Sequence, residues 1–501
     1  MRSLWHLTGP TIPTDPILPG DRCDTVVIGA GLTGLTTAVL LARAGQRVTV
    51  LEAREVGAAT TGNTTGKLSL LQATVFSELR EHAGDEALAA YAEANREGQA
   101  WLLREMTQRG IEIERAPALT VANRRDSLER LERERDAARS VGVPVEVADD
   151  TGLPYPVAGA LRLPDQGQVH AMDVLGALAA ELRERGGRLV RGCRVRDVDG
   201  VDGSVRIEAD EGHVLADTCV LATGMPVLDR SRFFARVEPS RSFAAAYRVP
   251  GDAFPRDMVV SIDEPHRSLR TAPTADGRRL LIVGGGGHVT GRGGDTRETL
   301  RVLDQWTARW FPGAQRVTWW AAQDYRHHSR IPFAGPLPGG DARIFAATGY
   351  HKWGMTNAVA AALTIAADLL GGNLHWARTL RRHQLTLPEL RDAAGVNLSV
   401  AGHLIGGWLG AEFQETFDPA GLAEGEGGIV REGATPVGVA RVDGQLCRVS
   451  GVCTHLGGVL SWNPAEQSWD CPLHGSRFTH RGERLEGPAL TDLEPRPEDG
   501  A

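Results

Sequence analysis

Cysteine is sparse in this chain of 501 residues: six are present, and none forms a Cys-x-x-Cys pair. Cys23, Cys193, Cys219 and Cys447 are scattered, so no disulfide framework is legible. The last three lie in apolar, strand-like runs, where a free thiol acts as a small hydrophobe. No run of eighteen apolar residues occurs, which predicts no transmembrane helix. The stretch from Met1 to Asp24 has four prolines and no apolar central region, so neither a signal peptide nor an anchor is expected there, and the cytoplasm is the expected compartment. Basic charge is also short. A formal net charge of −8 argues against a general nucleic-acid binder, which needs a basic surface. Residues 422–501 hold twelve Asp or Glu, seven Arg and no Lys, which reads either as an acidic docking face for a basic partner or as a merely solvated surface.

What the chain does have is size and glycine. Its length exceeds a single core, so two or three units are expected. With 42% hydrophobic and 24% charged residues it reads as globular, and 60 glycines suit nucleotide loops, tight bends and flexible segments.

Metal-binding side chains concentrate near the carboxyl end. Cys453-Thr-His455 is followed after fifteen residues by Cys471-Pro-Leu-His474-Gly-Ser-Arg-Phe. Two thiolates and two imidazoles suit a Rieske 2Fe-2S centre, with two Cys on one iron and two His on the other. They also suit tetrahedral zinc, although zinc fingers favour Cys pairs and His pairs over two mixed pairs. The segment resembles the Rieske iron-sulfur proteins, down to Gly457, Gly458, Pro472, Gly475 and Ser476. That resemblance implies Cys453, His455, Cys471 and His474 as iron ligands. Gly458 and Leu473 stand where the respiratory-complex subgroup has a disulfide pair, and Phe478 stands where it has a tyrosine. Strand-like runs at 425–431 and 435–441, a turn at Asp443-Gly444 and a third run into Cys453 predict a small all-β domain over about 422–501.

At the amino end, Thr25-Val-Val-Ile-Gly29-Ala30-Gly31-Leu32-Thr33-Gly34 is an apolar strand running into G-x-G-x-x-G, with a helix expected through Leu41 to Gly45. A second strand over 47–51 ends in Glu52, eighteen residues after the last glycine. In this setting the motif predicts a dinucleotide site, its pyrophosphate at the helix amino end and its ribose on Glu52, which disfavours NADP. These residues alone leave NAD and FAD open.

Later segments resemble the FAD-dependent D-amino-acid oxidase, glycine oxidase and sarcosine oxidase family. They are Ala53, Arg54, Gly57 and the run through Thr61, Thr65 and Lys67; Gly187 to Val195; Cys219-Val-Leu-Ala222-Thr223-Gly224; and Ile344 to Asn357, with Gly349, His351, Lys352, Gly354, Met355 and Thr356. The resemblance implies FAD bound by Gly29, Ala30, Gly31, Leu32, Thr33, Gly34, Glu52, Ala53, Arg54, Thr61, Thr65, Lys67, Val195, Ala222, Thr223, Gly224, Gly349, Gly354, Met355 and Thr356. The expected fold is α/β (α+β): a Rossmann-like FAD-binding domain with an antiparallel-sheet substrate subdomain over 20–376, plus the all-β Rieske domain. FAD-binding parts are expected at about 20–75, 151–230 and 326–376, and the substrate subdomain at about 76–150 and 231–325. Residues 377–421 read as a linker with a helix at 399–409.

Within the subdomain, residues 76–110 and 126–142 carry the alternation of amphipathic helices, and runs at 241–247, 258–263, 268–271 and 279–284 alternate like strands facing the flavin. The glycine run Gly284 to Gly287 reads as a hairpin end, not a second nucleotide loop, because the following residues to Asp295 cannot start a helix.

A flavin takes two electrons as a hydride and a 2Fe-2S centre carries one, so the pair reads as a two-to-one converter. The resemblance implies an amine or amino-acid substrate, oxidised to an imine. Lys352 and Lys67 are candidate cations for the reduced flavin, Arg270 a candidate carboxylate partner for substrate, and His351 a pocket wall. The expected partners are this small molecule and a one-electron acceptor, a protein or a quinone. Two other readings stay open: a reductase drawing electrons from NADH or a ferredoxin, and a non-catalytic redox sensor.

Overall fold

The computed structural model describes residues 2–228, 233–252, 254–339, 341–384, 421–433 and 435–497, so the helix expected at 399–409 lies outside the described residues. Arg188–Val190, Val48–Leu51, Arg22–Ile28, Gly212–Leu221 and Ile344–Thr348 run parallel in that order across one sheet. Phe333–Pro336 is added antiparallel at one edge, and the hairpin of Val195–Val201 and Ser204–Ala209 flanks Gly212–Leu221. Strands covered on both faces must be apolar throughout, which accounts for the unbroken run of buried residues from Thr25 to Val27. The helix Leu32–Arg43 packs between Ala171–Glu184 and Gly354–Leu369.

The second sheet runs Gln315–His327, Val237–Arg248, Arg279–Val289, Arg267–Pro273, Met258–Ser261, Glu114–Ala122, Gly159–Gln168, Lys67–Leu68. Its neighbours are antiparallel except for the parallel pair Met258–Ser261 and Glu114–Ala122. Gly159–Gln168 and Lys67–Leu68 therefore pair in this sheet, not in the dinucleotide-binding one. The run Gly284 to Gly287 is also not a hairpin end. It lies inside the strand Arg279–Val289: Gly284 and Gly285 pair with both neighbouring strands, while Gly286, at φ 65°, and Gly287 form an irregularity in the pairing. No helix starts within the stretch up to Asp295, as expected; the helix Thr296–Trp310 follows it, capped by the Asp295 carboxylate, which accepts from Arg297 N.

The two expected amphipathic helices are Val75–Gln108, interrupted at Gly84 (φ 84°), and Leu128–Ser140. His375–His383 packs against the first of these and buries Trp376, Ala377 and Leu380, so the chain past 377 begins as docked helix and not as linker.

Gly427–Glu432, Thr435–Val442 and Gln445–Ser450 form a three-stranded meander. Asp443 and Gly444 both have positive φ (55° and 73°), as a tight two-residue hairpin turn requires. A four-stranded sheet of Ser461–Asn463, Ser468–Asp470, Arg477–Thr479 and Arg484–Glu486 completes this all-β unit, whose core contains Trp469, Phe478, Cys453 and Cys471. Among the described residues no helix is long and apolar enough to cross a membrane.

Candidate flavin and iron-sulfur sites

An elongated cleft opens at the carboxyl ends of the parallel strands. Gly29 adopts φ 106°, and a Cβ there would stand 2.5 Å from Ala222 O; a Cβ on Gly34 would overlap Gly29 O. The motif thus packs loop, helix and strand tightly enough to aim the helix start at the cleft. That helix has Gly31 as its cap and no side-chain cap bond, which leaves amide donors for a phosphate. The Glu52 carboxylate accepts from Ala30 N and Arg54 N, both at 2.9 Å.

Of the sequence-derived flavin contacts, Gly29, Gly31, Leu32, Thr33, Glu52, Ala53, Arg54, Thr61, Val195, Ala222, Thr223, Gly224, Gly349, Gly354 and Met355 line this cleft. Ala30, Gly34, Thr65, Lys67 and Thr356 stand outside its lining. Thr356 is buried in a polar network instead: its Oγ1 donates to Asn95 Oδ1 at 2.6 Å and accepts from Gln72 Nε2 at 3.1 Å. Asn357 joins through Tyr91 and Asn95, so the network fixes the start of the helix Gly354–Leu369.

Lys352 lines the far end of the cleft. His351 and Lys352 both have left-handed φ (47° and 69°), a strained pair for non-glycine residues. The strain is held by His351 N donating to Tyr325 O at 3.0 Å and by Lys352 N donating to an Asp324 carboxylate oxygen. A Cβ on Gly287 would lie 2.9 Å from Lys352 Nζ, so glycine there makes room for the ammonium. Burial lowers the lysine pKa against the pull of Asp324, and burial raises the Asp324 pKa.

Two other candidates are placed elsewhere. Arg270 is buried, stacked over Trp5, and its guanidinium donates to the carbonyls of Thr65 at 2.8 Å, Gly66 and Val169 at 3.1 Å, and Thr271 at 3.0 Å. With Nε and Nη1 engaged on backbone carbonyls it braces the loop before Lys67, and it is not among the residues lining the cleft where it was expected to meet substrate. Lys67 Nζ donates to Val259 O at 2.6 Å and Ser268 Oγ at 2.7 Å, tying strands of the second sheet together. Of the 55 Lys and Arg residues only Lys67 and Lys352 are lysines. A compact ammonium fits where a planar guanidinium does not. His351 does not line the cleft, and burial, then Arg326 and Lys352, push its pKa down to about 3, so it is neutral.

In the all-β unit two loops close in the same way. Gly457 N donates to Cys453 O and Gly475 N to Cys471 O, each at 3.1 Å, with both glycines at positive φ (73° and 75°). The two thiols lie together in the same buried cluster, while the His455 and His474 rings lie 5.2 Å apart. Among the described residues no three potential ligands converge on one point. Cys beside Cys and His beside His fits a binuclear cluster with two ligands per iron and does not fit one tetrahedral zinc. His474 Nδ1 is buried without a partner among the described residues, as a nitrogen awaiting a metal would be. A Cβ at Gly458 would lie 2.6 Å from Leu473, so these two positions make an apolar contact in place of a disulfide.

The β unit is docked on the second sheet. Arg241 pairs with Glu466, Glu466 with Arg477 at 3.1 Å and Arg477 with Asp470 at 2.9 Å, and none of the four side chains exceeds 5% exposure. Gln323 Nε2 donates to Gly475 O at 2.9 Å and Tyr325 Oη at 2.8 Å, and Arg292 Nε donates to Pro472 O at 2.9 Å. Phe234 stands edge-on to both His455 and His474, at 4.9 and 4.8 Å. Gln323, Asp324 and Tyr325 are cleft residues that the sequence did not mark, since nothing in a strand's alternation tells which residue will meet another domain.

Residues 24–368 match the family described as FAD dependent oxidoreductase, and residues 414–497 match the Rieske [2Fe-2S] domain. A Bacillus subtilis (strain 168) protein, YhfW, named as a Rieske 2Fe-2S iron-sulfur protein, is 31% identical over 499 residues, covering 97% of this chain and 96% of that one. Gamma-glutamylputrescine oxidoreductase of Escherichia coli (strain K12) is 26% identical over 381 residues, 72% of this chain and 86% of that one. Among solved structures, glycine oxidase from Geobacillus kaustophilus is similar at a TM-score of 0.60 with 19% identity, over 71% of this chain and 96% of that one.

Proposed function

For a chain that belongs to the FAD-dependent oxidoreductase family and carries a Rieske 2Fe-2S domain, we propose a dehydrogenase that oxidises an amine or amino acid and passes the electrons singly through its own cluster to an external one-electron acceptor, a protein or a quinone. One observation carries the reading: the loop holding Cys471 and His474 is hydrogen-bonded at Gly475 to Gln323, a wall of the cleft that fits FAD. The substrate class rests on relatives whose names are those of enzymes acting on such compounds.

The substrate, bound as the neutral amine, loses a hydride from carbon and becomes an iminium ion, which gives its proton to solvent on release and leaves as the imine. FAD supplies the hydride acceptor and the cluster a one-electron carrier. The protein needs no general acid for this, only orientation and a site closed to water. Lys352 supplies positive charge at the end of the cleft away from Glu52, and the amino end of the helix Gly354–Leu369 adds its dipole beside it.

Anaerobic stopped-flow mixing with a panel of amines and amino acids, and with NADH, tests the reading. A member of the panel should bleach the flavin and then bring up the EPR signal of the reduced cluster, and a one-electron dye should sustain turnover better than oxygen. In Cys471→Ser the flavin should still bleach while dye-linked turnover falls. Bleaching by NADH alone, or a cluster never reduced by substrate, would overturn it.

A further inference from the structure

One wall of the cleft comes from outside the dinucleotide-binding sheet. Arg484, Leu485, Glu486, Gly487 and Ala489 of the Rieske domain line it together with Arg54 and Arg194. Arg484 is only 6% exposed. Its position is fixed by its own domain, with its backbone N donating to Asp492 Oδ1 and its Nη1 to Ala489 O, both at 2.9 Å. Its carbonyl accepts from Arg194 Nη2 at 3.0 Å. Its Nε, however, is buried and has no acceptor among the described residues.

Cations from both domains therefore meet at one end of the cleft. Burial and then Arg54 lower the pKa of Arg194, while burial and then Arg194 and Arg196 lower that of Arg484 to about 10, with Asp492 and Asp210 offsetting only part of this. Guanidinium groups held close together in a partly buried place are stabilised when an anion joins them. Glu52, Ala53 and Val195 line the same end, so the anion there belongs to the adenosine side of a dinucleotide.

We propose that the FAD site is composite: Arg484 of the Rieske domain, beside Arg194 and Arg54, binds the phosphate-bearing adenylate half of FAD, so that cofactor binding and Rieske docking stabilise each other. The same segment touches the other centre. Ala489 N donates to Ser476 Oγ at 2.9 Å, and Ser476 in turn accepts at its carbonyl from Cys471 N at 2.8 Å. Occupancy at the FAD end thus bears on the surroundings of the cluster, whatever the substrate and whichever way electrons flow.

The full chain, freed of FAD and with its cluster loaded, is titrated with FAD and with ADP. Arg484→Gln should weaken both by roughly tenfold or more, the scale of one charge-assisted hydrogen bond, and Arg484→Lys by less. Iron and sulfide content serve as the folding control. Unchanged affinity for both ligands in Arg484→Gln would overturn the proposal. Should that variant lose its cluster, hydrogen exchange on the wild type decides: ADP should protect residues 484–492, and no protection would sink the idea. Neither measurement involves substrate, so failure of the dehydrogenase reading leaves this result intact.

Discussion

Lys352 has its charge inside the cleft on a strained left-handed backbone, held there by Asp324. In the proposed reaction its cationic form is the one that would serve, and burial lowers its pKa. The benefit is therefore present while the ammonium stays protonated and is lost as pH rises through a pKa that lies below the ordinary lysine figure of about 10.4. The rate of flavin reduction should fall on that alkaline limb, and Lys352→Met should be roughly tenfold slower, the cost of about 1.4 kcal/mol of lost charge stabilisation, with the limb gone. An unchanged profile would remove Lys352 from the reaction. At the other centre, Phe478 is fully buried in the core that holds Cys453 and Cys471, and offers no hydroxyl to the cluster. We expect a midpoint in the lower half of the Rieske range of about −150 to +300 mV, raised in Phe478→Tyr. A wild-type midpoint near the top of that range would contradict this.

The two cluster loops are the elements whose geometry was best written in the chain. Each places a glycine with positive φ four residues after its cysteine, and each closes on the cysteine carbonyl at the same distance. Spacing and turn chemistry lie within one short segment, so no distant contact is needed to form them. Purified protein should contain about two irons and two acid-labile sulfides per chain, and Cys453→Ser or His474→Ala should contain none. One zinc and no labile sulfide would contradict the pairing of thiol with thiol and imidazole with imidazole. The glycine run 284–287 is the opposite case, for Gly284 and Gly285 are held extended by the strands on either side, a pairing that no local spacing announces.

Across the whole molecule, the buried chain Arg241, Glu466, Arg477 and Asp470 locks the Rieske domain to the second sheet. Removing the Glu466 charge leaves Asp470 paired with Arg477 at 2.9 Å but leaves Arg241 the longer contact to Glu486 at 3.5 Å, and taking one partner from a buried ion pair typically costs about 3–5 kcal/mol. Glu466→Gln should raise hydrogen exchange along the interface and slow reduction of the cluster while flavin bleaching keeps its rate. Unaltered exchange would mean that the lock lies elsewhere. Burial opposes ionisation of Glu466, but Arg241 and then Arg477 outweigh it and hold the pKa at about 2. A carboxyl with a depressed folded pKa stabilises above its unfolded value of about 4.3. That contribution fades as pH falls from there toward 2, so tryptophan fluorescence should report a loosened interface in this window, absent in Glu466→Gln. The sequence by itself determined the dinucleotide strand, loop and helix, the Cys and His loops and the pairing of two cofactors, because each signal is a short spacing whose chemistry and backbone geometry are local. Only the tertiary structure decided that Arg270 and Lys67 are braces, that Gln323 joins the two sites, that Arg484 faces the cleft and that the Rieske domain is docked. A cation's role depends on which acceptors its neighbours leave free, and those neighbours are brought together by folding from segments that lie far apart in the chain.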